Sequence, residues 1–145
     1  MNRKALIDTN ILLDASMRER PEWAWAVMLL DEIAYGKLDG YIAATSLKDA
    51  YFVLGKYADE PTARDFVQAC LDAFEVVEVD SAICRVAAVS NEPDFEGGII
   101  RACAERAGVD FIISRDEKAF RKCAIKRLSA RDYAELFCEV TEIDL

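Results

Sequence analysis

The chain contains no histidine. That absence removes Ser-His-Asp and Cys-His catalysis, imidazole acid–base chemistry and histidine-rich metal sites. Disulfide scaffolding is excluded almost as firmly. The five cysteines (Cys70, Cys84, Cys103, Cys123 and Cys138) are odd in number, widely spaced and form no C-x-x-C pair, so they read as small buried hydrophobes. Glycine and proline are scarce, at 6 and 3, and no linker or low-complexity stretch divides the chain. No apolar run approaches the roughly 20 residues that span a bilayer. Asn2-Arg3-Lys4 leads into an apolar segment too short for a signal-peptide core, so no membrane association and a cytoplasmic location are expected.

What is present suits one folded domain over 1–145. The composition is 53% hydrophobic and 31% charged, and 145 residues can bury a core without staples. The net charge of −9 speaks against a general nucleic-acid coat protein. Its distribution is uneven. Arg115 to Arg131 carries seven basic residues against two acidic ones, whereas Asp132, Glu135, Glu139, Glu142 and Asp144 follow with no basic residue. The basic stretch could hold a polyanion; a solvated helix face accounts for it as well.

Periodicity predicts alternating strands and helices. Lys4-Ala-Leu-Ile-Asp8 reads as a buried first strand, followed by a short helix over 11–15. A longer helix opens at Pro21 as its first helical residue and ends at Gly36, with Trp23, Ala26, Val27, Leu30 and Ile33 at helical spacing. Trp23 and Trp25, two apart, cannot share one stripe, so Trp25 is expected to face solvent or an interface. Further strands are predicted at 41–44, 74–79, 109–113 and 124–126, with helices over 46–56, 60–73, 80–89, 96–108 and from Ser129 onward. Asp80 and Ser129 are expected N-caps, the latter in a capping box with Asp132, and Gly108 a left-handed helix end. Such alternation implies a mostly parallel sheet with helices on both faces, and ligands beyond the carboxyl ends of its strands.

Acids gather at that edge. Asp8 closes the first strand, Asp116 follows the fourth, Asp49 lies one turn into the helix after the second, and Asp94 and Glu96 precede the helix that leads to the fourth. Carboxylates held together repel one another, and a cation is the usual reason to keep them. Oxygen-only ligands suit Mg²⁺ or Mn²⁺, which can activate water and clamp an in-line phosphodiester displacement. Each acid also has a structural reading. Asp8 can form a turn, Asp116 can cap a short helix before Phe120, Asp49 can complete a capping box with Ser46, and Asp94 can cap the helix after Pro93.

Three segments are similar to those of one family. Leu6-Ile-Asp-Thr-Asn-Ile-Leu12 resembles the opening motif of PIN domains, the fold of VapC-type toxin ribonucleases. Ile113-Ser-Arg-Asp-Glu-Lys-Ala-Phe120 resembles their fourth-acid motif, and Asp94-Phe-Glu-Gly97 with its following helix resembles their third-acid segment. The resemblance runs along essentially the whole chain in the family's order. It implies a five-stranded parallel sheet in the order 3-2-1-4-5 and Mg²⁺- or Mn²⁺-dependent RNA cleavage. By position it makes Asp8, Asp49 and Asp116 catalytic metal ligands, with Asn10 and Ser114 in support. Gly97 stands where the family places the third acid, so Asp94 or Glu96 is expected to compensate. Asp94 is favoured because residues three apart share a helix face. Arg115, Lys118, Arg121 and Lys122 are the expected RNA contacts. A homodimer and an antitoxin partner follow from the same resemblance.

Two other readings compete. Loss of the third acid would suit a PIN protein that binds RNA or another protein without cleaving. Asp8-Thr-Asn-Ile-Leu12 also resembles the Asp-x-Asp-x-Thr motif of haloacid dehalogenase-type phosphotransferases, although Asn10 replaces the second acid and Leu12 the threonine.

Overall fold

Short apolar runs make the central strands, which are buried because helices cover both faces of the sheet. The computed structural model of the chain describes residues 1–138. Its elements are β1 (Arg3–Ile7), α1 (Thr9–Ser16), α2 (Trp23–Ala34), β2 (Leu38–Ala43), α3 (Ala44–Tyr57), α4 (Glu60–Ala73), β3 (Glu75–Val77), α5 (Ser81–Ala88), α6 (Phe95–Ala107), β4 (Phe111–Ile113), β5 (Lys126–Leu128) and α7 (Ala130–Phe137). The five strands are parallel and ordered β3-β2-β1-β4-β5, as the resemblance implies. Glu139, Glu142 and Asp144 of the acidic tail lie outside the described residues.

Strand period two divides the core. Ala5 and Ile7 of β1, with Ile42 and Ile113, pack under α1, α2, α4 and α7. Leu6, Ala43 and Ile112 face α5 and α6 through Ile83, Ile99, Ile100 and Cys103. A smaller cluster of Met17, Leu54 and Ala63 joins α1, α3 and α4. The cysteines are all free thiols, and burial pushes Cys70 and Cys103 up to about 11, which leaves them inert at neutral pH.

Most helix signals act where expected. Asp80 and Ser129 cap α5 and α7, with the Ser129–Asp132 box complete, and Gly108 ends α6 at φ 65°. Some boundaries differ. Pro21 precedes α2 in a turn, and the helix begins at Trp23. β5 starts at Lys126 rather than 124, because its partner in register is Phe111 and pairing, not local apolarity, sets its ends. Residues 114–125 form turns, so no helix precedes Phe120. Trp25 is half-buried over the core with the Arg131 guanidinium of α7 above its ring, so α7 of the same chain covers it.

Gly98 sits where α6 meets α5. A Cβ there would lie 2.8 Å from the Ala87 carbonyl oxygen and 2.9 Å from Ser90 Oγ. The cost is backbone against backbone, so Gly98→Ala should overpack the junction by about 1–3 kcal/mol and outweigh its helix-propensity gain of about 1 kcal/mol. Urea denaturation should show a lower midpoint for Gly98→Ala and no such loss for Gly97→Ala.

Candidate functional site

Asp8 follows β1 and is the N-cap of α1. Its Oδ1 accepts from the Thr9 amide at 2.8 Å, and its Oδ2 accepts from Ser114 Oγ at 2.7 Å and more weakly from Asn10 Nδ2 at 3.4 Å. Burial pushes the Asp8 carboxyl above the ordinary aspartate value, against the Ser114 and Thr9 hydrogen bonds, and the charges of Asp116 and Asp94 push the same way. Asn10 and Ser114 therefore support Asp8 directly. Each also reaches onward: Asn10 Oδ1 accepts from the Arg115 amide at 3.3 Å, and Ser114 Oγ from the Asp116 amide at 3.1 Å. Neighbouring strands β1 and β4 thus present Asp8 and Asp116 from one edge, linked by a continuous hydrogen-bonded path.

The other acids come from helix starts. Asp49 lies in α3, whose N-cap is Ala43 with no side-chain capping bond; the Ser46–Asp49 capping box is absent. The helix begins two residues before Ser46, which places Ser46 inside it and buries its hydroxyl against Thr9 Oγ1 at 2.7 Å. Asp49 is ion-paired with Lys48 at 3.0 Å, an exposed contact worth little. Asp94 is the N-cap of α6, its Oδ1 accepting from the Gly97 amide at 2.7 Å, so one oxygen is already engaged. Glu96, in the first turn of α6, is coupled to the other acids. Burial raises its pKa first, then the charges of Asp49, Asp8 and Asp94. Asp116 lies on the loop after β4, where its Oδ1 accepts from the Lys118 amide at 3.0 Å; it stabilises a turn rather than a helix.

Asp8, Asp49, Asp94, Glu96 and Asp116 all line one cleft of about 670 Å³, together with Asn10, Lys48, Gly97 and an apolar wall of Leu13, Phe52, Val53, Ile100 and Phe120. Five carboxylates face a single lysine. The donor set is oxygen alone, which fits a hard divalent cation such as Mg²⁺ or Mn²⁺. Among the described residues, no three acids are already drawn to ligating distance of one point.

A PIN domain model matches residues 4–118, which includes every acid of the cleft. The chain belongs to the PIN domain family. That membership sets aside the phosphotransferase reading. No curated protein sequence matches the chain. Among solved structures, the PIN fold of this chain is similar to VapC20 of Mycobacterium tuberculosis, a sarcin–ricin loop-cleaving toxin, with a TM-score of 0.68 at 13% identity over 83% of this chain and 95% of that one. It also resembles a toxin–antitoxin complex from Klebsiella pneumoniae, with a TM-score of 0.66 at 21% identity over 87% and 97% of the two chains. VapBC2 from Rickettsia felis, bound to a promoter DNA fragment, gives 0.62 at 12% over 87% and 98%. At these identities the likeness carries the fold.

Two buried acids escaped the sequence reading. Asp14, 2% exposed, lies in α1 and pairs with Arg115, Nε to Oδ2 at 2.6 Å and Nη2 to Oδ1 at 3.2 Å, and with Arg20 at 3.4 Å. Arg115, expected to contact RNA, is thus tied to Asp14. Glu92, its side chain 2% exposed, pairs with Arg101 and accepts from the Phe120 amide at 2.7 Å, where Phe120 holds a left-handed φ of 66°. Asp14 did leave a signal: it lies three residues after Ile11 on an apolar helix face, where a charge must find a partner. Of the other expected RNA contacts, Lys118, Arg121 and Lys122 are exposed on the loop after β4.

Proposed function

We propose that this PIN domain is a divalent-metal-dependent endoribonuclease and the toxin of a toxin–antitoxin pair. One observation carries the reading: a single cleft gathers five carboxylates, and two of them, Asp8 and Glu96, are pushed toward protonation by burial and by the charges of the rest. Asp8, Asp49, Asp116 and Glu96 are the residues that would hold Mg²⁺ or Mn²⁺, with Asp94 beside them. When bound, such a cation polarises a phosphodiester and lowers the pKa of water. Asn10 and Ser114 orient Asp8 by hydrogen bonds, fixing the direction of its carboxylate. Lys118, Arg121 and Lys122 on the exposed loop are suited to neutralise RNA phosphates beside this acidic cleft.

Glu96, rather than Asp94, is the better substitute for the acid missing at Gly97. Asp94 caps α6, whereas the Glu96 carboxyl is pushed up by burial first and then by the charges of Asp49 and Asp8. Glu96→Gln should lower metal-dependent RNA cleavage by about a hundredfold while leaving the thermal midpoint in EDTA unchanged or higher. Asp94→Asn, which preserves a good N-cap, should have the smaller effect. Cleavage of RNA by the purified protein, requiring Mn²⁺ or Mg²⁺ and lost in Glu96→Gln, tests the reading. RNA binding without cleavage in wild type would instead favour a non-catalytic binding module.

The neighbours from Klebsiella pneumoniae and Rickettsia felis come from toxin–antitoxin assemblies, which supports an antitoxin partner for this chain. A homodimer in the cytoplasm completes the reading. No described helix is long and apolar enough to cross a membrane. Sedimentation that shows only monomer at high concentration would remove the dimer.

A further inference from the structure

Asp14 does not line the cleft, yet it is among the most buried charges of the described residues. A carboxylate at 2% exposure is costly unless paired, and breaking such a pair leaves an uncompensated charge. Its main partner is Arg115, whose two contacts at 2.6 and 3.2 Å make a bidentate grip. Arg115 is the residue before Asp116. Asp14 and Asp8 belong to the same short helix, Asp8 as its N-cap and Asp14 two turns further along. The ion pair therefore fastens the loop that carries Asp116 to the helix that begins at Asp8.

The backbone around Asp116 is also tied to α1 and to Asp8 by hydrogen bonds. The Arg115 amide bonds Asn10 of α1, and the Asp116 amide bonds Ser114 Oγ, which in turn donates to Asp8. These contacts are long or single, at 3.3 and 3.1 Å for the two amides, and the Asp116 residue is exposed. The bidentate grip on the buried Asp14 carboxylate, made by the residue next to Asp116, adds a shorter, charge-assisted constraint, with the Arg115 side chain itself 41% exposed.

We propose that Asp14 is a positioning residue for Asp116, acting through its ion pair with Arg115 to hold the two strand-end acids of the cleft in register. The role in metal binding rests on the nuclease reading above; the positional role does not. Arg115 on this view serves the acid next to it and is not a general grip on RNA. Arg20 makes one longer contact to Asp14 from the loop after α1 and does not touch the Asp116 loop, so it serves as the control.

The test compares wild type with Asp14→Asn, Arg115→Gln, the double variant and Arg20→Gln, each first checked for a cooperative thermal transition. Amide hydrogen exchange of Arg115 and Asp116 in EDTA reads position without metal. Mn²⁺ binding followed by electron paramagnetic resonance reads the cleft. Asp14→Asn and Arg115→Gln should each speed exchange at these two amides by about tenfold or more and weaken Mn²⁺ by about ten- to a hundredfold. The double variant should be no worse than either single one, and Arg20→Gln should lower stability while leaving both readouts as in wild type. Unchanged exchange in a folded Asp14→Asn protein overturns the proposal, as does faster exchange with Mn²⁺ affinity equal to wild type. Should Asp14→Asn fail to fold, Arg115→Gln alone decides by the same two readouts. A wild-type chain that binds no Mn²⁺ defeats the nuclease reading instead, and the positional role then stands or falls on the exchange rates.

Discussion

Replacing Asp8 by Asn is expected to abolish metal-dependent RNA cleavage and at the same time to stabilise the metal-free protein. Loss of cleavage should reach at least about a hundredfold, the upper range for disturbing even residues that only support a metal ligand. The stability effect follows from the raised pKa. Burial is its main cause, with the charges of Asp116 and Asp94 adding to it. An acid whose folded pKa lies above its unfolded value stabilises the fold while protonated, and that contribution is lost as pH rises from about 3.8 through the raised folded value. Above that window the wild-type fold carries an ionised carboxylate at a cost, and Asn carries none. The midpoint difference between Asp8→Asn and wild type in EDTA should therefore open as pH rises through the window and then level off. Each 1 kcal/mol relieved corresponds to roughly 4 °C in a domain of this size. Saturating Mn²⁺ should reverse the order, because only the wild type gains stability from the ion. Thermal melts with and without Mn²⁺ across pH check both signs. An Asp8→Asn protein that cleaves RNA at the wild-type rate would remove Asp8 from the site.

Gly97→Asp is expected to tighten Mn²⁺ binding about tenfold and to raise RNA cleavage accordingly. Gly97 is the third residue of α6 and lines the cleft, so a side chain there enters the acid set. Space is available with one adjustment. The new Cβ would lie 3.0 Å from Asp94 Oδ1, the end of a side chain that can yield by a few tenths of an ångström. An acid in the first turn also complements the helix dipole. Without metal, however, the added charge joins Glu96 and Asp94, and like charges repel. The variant should melt lower than wild type in EDTA and higher in saturating Mn²⁺, since a tenfold gain in affinity is worth about 1.4 kcal/mol. Equal melting curves in both conditions, with unchanged cleavage, would mean that Glu96 already completes the site. Toxicity on expression would accompany a gain in activity.

The parallel sheet was legible because its central strands carry short apolar runs, and its strand order because the resemblance ran in register through Asp8, Gly97 and Asp116. Caps such as Asp80, Ser129 and Gly108 were legible because they act on residues three or four away. The fifth strand was not placed correctly, since Lys126–Leu128 is a strand only by pairing with Phe111–Ile113. The Ser46–Asp49 box failed for a similar reason: β2 hands over directly to α3, and Ser46 turns inward to Thr9.

By itself the sequence determined the chemistry available to this protein. With no histidine and no paired cysteines, only carboxylates remain to bind a cation, and their spacing puts them at strand and helix ends. What the tertiary structure decided is how those acids divide the work. It gave Asp94 a helix to cap, left Glu96 among the charges of Asp49 and Asp8, and turned the guanidinium of the exposed Arg115 onto the buried Asp14. Spacing along a chain fixes which residues can meet across one helical turn. Whether a charge such as Asp14 is buried, and which arginine about 100 residues away must answer it, depends on how α1 packs beside the loop after β4.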